Sequence, residues 1–167
     1  MASDRRGSDV GGRAHLAASI SSAVFAIAAV AVGSANVLVP FDRGWWLTAY
    51  LFLVGGVSQL LLSRGQDALT TRRGEPPPAL LWTQWALWNA GTAIVAMADM
   101  AQAMAGVDVG SIALLVALLL FLICARRDRR EPHRHAAALE HAYATLLVVL
   151  GSSVVLGTYL ARALPGQ

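Results

Sequence analysis

The sequence predicts an all-α membrane protein: a polytopic bundle of five transmembrane helices, with the N-terminus in the cytoplasm and the C-terminus outside. Three observations predict it. Five long apolar stretches follow one another, every proline falls in a break between them or near the C-terminus, and arginine density alternates from break to break. Apolar residues make up 56% of the 167 and charged ones 14%, against about 45–50% and about 25% in an average soluble domain. A soluble fold of this size has too little interior to hide such runs, whereas lipid accepts them.

The stretches are 16–39, 45–63, 79–100, 109–125 and 138–161. About 20 apolar residues cross a hydrocarbon core of about 30 Å. Pro40, Pro76, Pro77, Pro78, Pro132 and Pro165 all lie outside them, as unbroken helices in lipid require. The first stretch follows a basic segment like a signal peptide, but at 24 residues it exceeds a usual 7–15-residue signal core and is read as a retained helix. The fourth is the shortest, and 101–108 either extends it or forms a turn. Residues 1–15, rich in Ser, Gly and Arg, are expected to be a disordered cytoplasmic tail. The remaining chain reads as one domain over 16–163 and a short tail over 164–167.

Orientation comes from arginine, because short cytoplasmic loops carry the excess of basic residues. All 13 basic residues are Arg: eleven lie before the first span, between the second and third, or between the fourth and fifth, and only Arg43 and Arg162 lie on the other side. The cluster Arg126, Arg127, Arg129, Arg130 and Arg134 is read as a topology anchor against anionic lipid. The location expected is the cytoplasmic (inner) membrane. Trp45, Trp46, Trp82 and Tyr159 fall at span ends, where aromatic belts sit.

Polar groups deep in a membrane are costly and mark function or helix contact. Asn89 is placed near the midplane, Gln59 somewhat inside it, and Ser152 and Ser153 near the middle of the fifth span. Gln59 and Asn89 can bond helix to helix or line a solute path; both readings stand at this stage. Gly55 and Gly56, one turn before Gln59, and the Ala29/Gly33 pair predict close helix contact. Trp82, Trp85 and Asn89 share one face of the third span. Asp99 and Glu140 lie at opposite span ends, within reach of headgroups or water, so no charge is expected at mid-depth. That excludes a pump built on a buried carboxylate relay.

His141 is the one histidine inside a span, with His15 at the edge of another, which leaves no bis-histidine clamp for haem. His133, His135 and His141 lack zinc-site spacing, and the single cysteine, Cys124, joins none of them. No phosphate loop, His-Glu-x-x-His or Gly-x-Ser-x-Gly motif is present. No enzyme activity, cofactor, metal or nucleic-acid partner is expected.

The segment Gly55-Gly56-Val57-Ser58-Gln59 resembles the Gly-Gly-x-x-Gln segment of the acetate uptake transporter family. Asn36 stands within one residue of the spacing of a family Asn, Gln66 takes the place of a family Glu, and Gly151, Gly157 and Tyr159 are similar to its closing helix. The family's Asn-Pro-Ala-Pro opening is absent, its Gly-Asn-Thr-Phe-Gly text is replaced by Arg73-Gly74-Glu75-Pro76, and it has six helices against five here. The resemblance implies a homo-oligomer with a path in each subunit, with Asn36, Gln59 and Asn89 as path-lining residues. The function expected is therefore a passive or weakly coupled route for a small solute such as a monocarboxylate. The alternative is a non-catalytic accessory subunit packed against a larger membrane complex.

Overall fold

The structure, a computed structural model, describes residues 2–73, 76–126 and 134–163, with side chains over 12–68, 76–125, 141–155 and Tyr159. The described residues form helices joined by short connections: α1 (Ala2–Leu38), α2 (Gly44–Tyr50), a π-helical segment (Leu51–Ser58), α3 (Gln59–Arg73), α4 (Pro78–Met100), α5 (Met104–Arg126) and α6 (Arg134–Ala163). α2, the π segment and α3 run on without a break, so the described residues make five helical rods. All five apolar stretches fall on these rods.

Boundaries differ from the expected ones in two informative places. α1 starts at Ala2, so 2–15, expected as a disordered tail, continues the helix of the first span. Once a helix is nucleated and anchored, each added residue costs little, and the helix is held just after this extension: Ala14 is buried and His15 Nδ1 lies 3.3 Å from Ser63 Oγ. Residues 101–108 turn out to be both turn and helix. The Gln102 N–H bonds the Asp99 carbonyl and the Ala103 N–H bonds the Ala98 carbonyl, with Gln102 at φ 55°. This is a Schellman stop, and α5 starts two residues later.

Two antiparallel hairpins carry the bundle. α1 lies along the second rod, where Gly55 makes room for the Phe25 ring: a Cβ there would sit 2.5 Å from Phe25 Cγ. α4 lies along α5 at backbone contact, since a Cβ on either Gly91 or Gly110 would come within 2.9 Å of the other's carbonyl oxygen. Small residues at such positions let helices approach when no hydrophobic force drives them together. α6 closes the bundle through Tyr143 and Leu147, which join a core of Leu62, Trp88, Val95, Leu114, Leu118 and Phe121.

The exterior is apolar. Leu16, Ile20, Val24, Ile27 and Val30 line the outside of α1, and Val109, Ile112, Val116, Leu119 and Ile123 line the outside of α5. Both series recur every three or four residues, the spacing of one helix face. Only 11% of the most apolar stretch of α1 is buried within the chain, so this surface is made for an apolar surround. Three segments, Gly12–Leu38, Gly44–Ala68 and Met104–Ala125, are long and apolar enough to cross a membrane, and α6 holds a shorter apolar stretch, His141–Val155. α4 is 23 residues long, or about 34 Å, but is more polar because its polar side chains Gln84, Thr92 and Asp99 turn inward and are buried.

Candidate functional site

α4 presents Gln84, Trp88, Thr92 and Asp99 along one face, at steps of four, four and seven residues. The second rod runs antiparallel to it and presents Arg43, Tyr50, Val54, Gln59 and Gln66. Four side-chain contacts tie the two together from end to end. Arg43 Nη1 donates to Asp99 Oδ1 at 2.6 Å; the buried hydroxyls of Tyr50 and Thr92 are neighbours; Trp88 Nε1 donates to the Val54 carbonyl at 3.3 Å; and Gln66 Nε2 donates to Gln84 Oε1 at 3.1 Å. The backbones are therefore separated by long polar side chains, and a polar seam runs the length of the bundle inside an apolar shell.

α1 closes the seam on one side. Ser22 Oγ donates to the Gly56 carbonyl at 2.7 Å. Ser21 Oγ accepts from Gln59 Nε2 at 2.8 Å and from Trp85 Nε1 at 3.1 Å. Below this knot, toward the arginine-rich end, lies a small cavity of about 30 Å³ bordered by His15, Gln59, Ser63, Gln66, Gln84 and Trp85, with Trp88 and Phe121 as its apolar wall. About 10–15 Å³ of such space accepts a water, so one or two fit. His15 stands between this cavity and the exposed Asp67, whose Oδ1 is 4.0 Å from His15 Nε2.

Four buried side-chain atoms have no hydrogen-bond partner among the described residues: Tyr50 Oη, Gln59 Oε1, Thr92 Oγ1 and Asp99 Oδ2. All four belong to the second rod or α4. A buried polar group left unmatched costs about 1–3 kcal/mol, and native folds leave few of them. All four lie along the seam between the second rod and α4, where the Tyr50 and Thr92 hydroxyls are within reach of each other.

The residues singled out from sequence are distributed as follows. Gln59 is buried at the heart of the seam and bonds across to α1. Gly55 and Gly56 lie in the π segment against Phe25 and Ala26 of α1, which is why no side chain separates the rods there. Asn36 is buried at the far end, where its Oδ1 accepts the Phe41 N–H at 3.1 Å and holds the turn into α2, apart from Gln59. Asn89 donates to the Trp85 carbonyl of its own helix at 2.7 Å, and no described bond joins it to another helix. Ser153 bonds the Leu150 carbonyl of its own helix and is exposed. Of the basic cluster, Arg126 ends α5 and Arg134 begins α6, while Arg127, Arg129 and Arg130 lie outside the described residues.

One expectation is corrected. Asp99, expected to reach headgroups or water, is buried against Arg43, because the turn at 39–43 folds Arg43 back over the end of α4. The sequence gives no sign of Ser21, Gln84 and Thr92 as seam residues, nor of the π segment, and His15 and Gln66, though visible in it, have no seam role assigned by it. Polar side chains at scattered helix positions carry no mark of which neighbour they meet.

Fold and site together define an all-α bundle with an apolar perimeter and a polar interior seam. No protein-family model, curated protein or solved structure matches the chain.

Proposed function

We propose that the chain is a multi-pass membrane protein with five crossings, N-terminus cytoplasmic and C-terminus outside, that provides a passive route for a small polar solute along the seam between α4 and the second rod. The observation that carries this reading is the alignment of four unmatched buried polar atoms on that seam, with a cavity at its arginine-rich end. Unmatched groups in a hydrocarbon surround are costly, and a polar species passing along them is what would match them. Gln59 is the residue on which the route depends, since it lies on both the seam and the cavity.

Purified protein in liposomes tests this with a panel of small solutes that includes acetate, the solute suggested by the sequence resemblance. Flux above that of empty liposomes, lowered by Gln59→Leu, is expected. Equal leak from wild type, variant and empty vesicles for every solute removes the proposal.

A second reading, an accessory subunit of a larger membrane complex, is favoured by one feature. A shallow apolar groove runs between α1 and the second rod, beside Gly33 and Ser34 and rimmed by the exposed Trp45, a shape that another helix can enter. A stoichiometric partner retained on purification in mild detergent supports that reading; a clean homo-oligomer supports the route.

A further inference from the structure

We infer that Ser63, His15 and Asp67, at the arginine-rich end of the bundle, form an acyl-transfer site that hydrolyses esters of short carboxylic acids. Ser63 is the nucleophile, His15 the general base, and Asp67 the group that positions the imidazole. The reaction goes beyond the proposed route and does not depend on flux through it.

The first indication is what Ser63 meets. A serine inside a helix commonly gives its hydroxyl proton to a carbonyl three or four residues back, as Ser19, Ser21 and Ser153 do here. Ser63 Oγ instead lies 3.3 Å from His15 Nδ1, across the contact between α3 and α1. The other ring nitrogen, Nε2, faces Asp67 Oδ1 at 4.0 Å. Hydroxyl, imidazole and carboxylate thus stand in the order of a serine-hydrolase triad, with the two ring nitrogens exchanged. A carboxylate beside Nε2 favours the tautomer that carries its proton there, which leaves the Nδ1 lone pair for the Ser63 hydroxyl. The 4.0 Å gap is longer than a hydrogen bond, as is common in such constellations before substrate binds. It closes as His15 takes up a proton and becomes a cation.

The surroundings supply the rest. Ser63 and His15 border the cavity together with Gln59, Gln66 and Gln84. Each of those amides gives one N–H to a protein acceptor. An amide nitrogen carries two, so each keeps a second donor for the oxygen that becomes negative during acyl transfer. A space of about 30 Å³ walled by Leu81, Trp88 and Phe121 admits a carbonyl with a small apolar group, which restricts the acyl part to the shortest chains. The Asp67 side chain is 59% exposed, so water reaches the site from the same end. In the reaction, Ser63 Oγ attacks the ester carbonyl carbon as its proton passes to His15 Nδ1, and the alcohol leaves with that proton. Water then attacks the acyl-serine, giving a proton to Nδ1, and that proton returns to Ser63 Oγ as the carboxylic acid departs.

Methanesulfonyl fluoride, a probe of few atoms, tests the site, because an activated serine displaces its fluoride and keeps the sulfonyl group. Peptide mass spectrometry of the full chain treated in detergent should place that group on Ser63, and treatment should abolish hydrolysis of p-nitrophenyl acetate. Ser63→Ala should lose both activities. General-base catalysis is worth about 10²–10⁴-fold, so His15→Gln should slow labelling by about 100-fold or more. Asp67→Asn should slow it severalfold at an unchanged unfolding midpoint, and Asp67→Glu should restore it, which a merely structural carboxylate would not do. A wild-type Ser63 that stays unmodified overturns the proposal whatever the variants do. Labelling at the wild-type rate in His15→Gln overturns it as well, since Ser63 is then a reachable serine without a base.

Discussion

Gln102 shows how a single residue can work against its own turn. It stands at φ 55° at the position where helices ending in a Schellman motif usually place glycine. A side chain in the left-handed region costs about 1–2 kcal/mol, so Gln102→Gly is expected to raise stability by about 1 kcal/mol, read as a higher midpoint of thermal unfolding in detergent. The Arg43–Asp99 pair, a few residues away in space, acts in the opposite sense. The Arg43 side chain is 32% exposed and that of Asp99 11%, between the exposed pairs worth almost nothing and the buried ones whose breakage costs 3–5 kcal/mol. A double-mutant cycle with Arg43→Gln and Asp99→Asn should return a coupling of about 1–3 kcal/mol. Additive single effects would mean that the pair contributes nothing.

Between elements, the closest contact is α4 on α5. Gly106 and Gly110 form a Gly-x-x-x-Gly pair that faces Ala98, Val95 and Gly91, the pattern that brings membrane helices to backbone distance. The pair is legible in the sequence, but its partner helix is not. Gly110→Ala would place a methyl 2.9 Å from both the Gly91 carbonyl oxygen and the Val95 nitrogen, atoms that cannot swing aside. It should cost about 1–3 kcal/mol, as overpacking does, and lower the unfolding midpoint, while the same change at the open Gly12 should not. The π segment is the other feature at this level. Such segments are rare and often lie at functional sites; here it holds Gly55 and Gly56 against α1 and offers the Val54 carbonyl to Trp88. Apolar periodicity does not distinguish π from α winding, so nothing in the pattern Leu51-Phe52-Leu53-Val54 announced it.

For the molecule as a whole, the testable quantity is topology. In a Cys124→Ala background, single cysteines at Asp42 and Gln102 should react with an impermeant thiol reagent added outside intact cells. Cysteines at Gly12 and Asp67 should react only after the membrane is opened. Labelling of Asp42 and Gly12 from the same side would break the five-crossing arrangement. The architecture also relates polarity to depth. Apolar side chains face outward because lipid is their solvent, and polar ones face the seam because neighbouring helices supply partners there. The result is a helix, α4, whose polar side chains Gln84, Thr92 and Asp99 are all enclosed.

The sequence by itself determined the existence and order of the apolar helices, because hydropathy and proline placement are local properties that lipid selects directly. It also picked out Gln59 and the Gly55-Gly56 pair, since polarity and small size inside an apolar run are visible without knowing the neighbours. Only the tertiary structure decided what each polar group meets: that Asn89 turns to its own helix, that Asn36 holds a turn, that Asp99 is buried against Arg43, and that Gln59 bonds across to Ser21 of α1. Hydrogen bonds between helices depend on register and rotation, which residues far apart in the chain set together, and no local pattern encodes them.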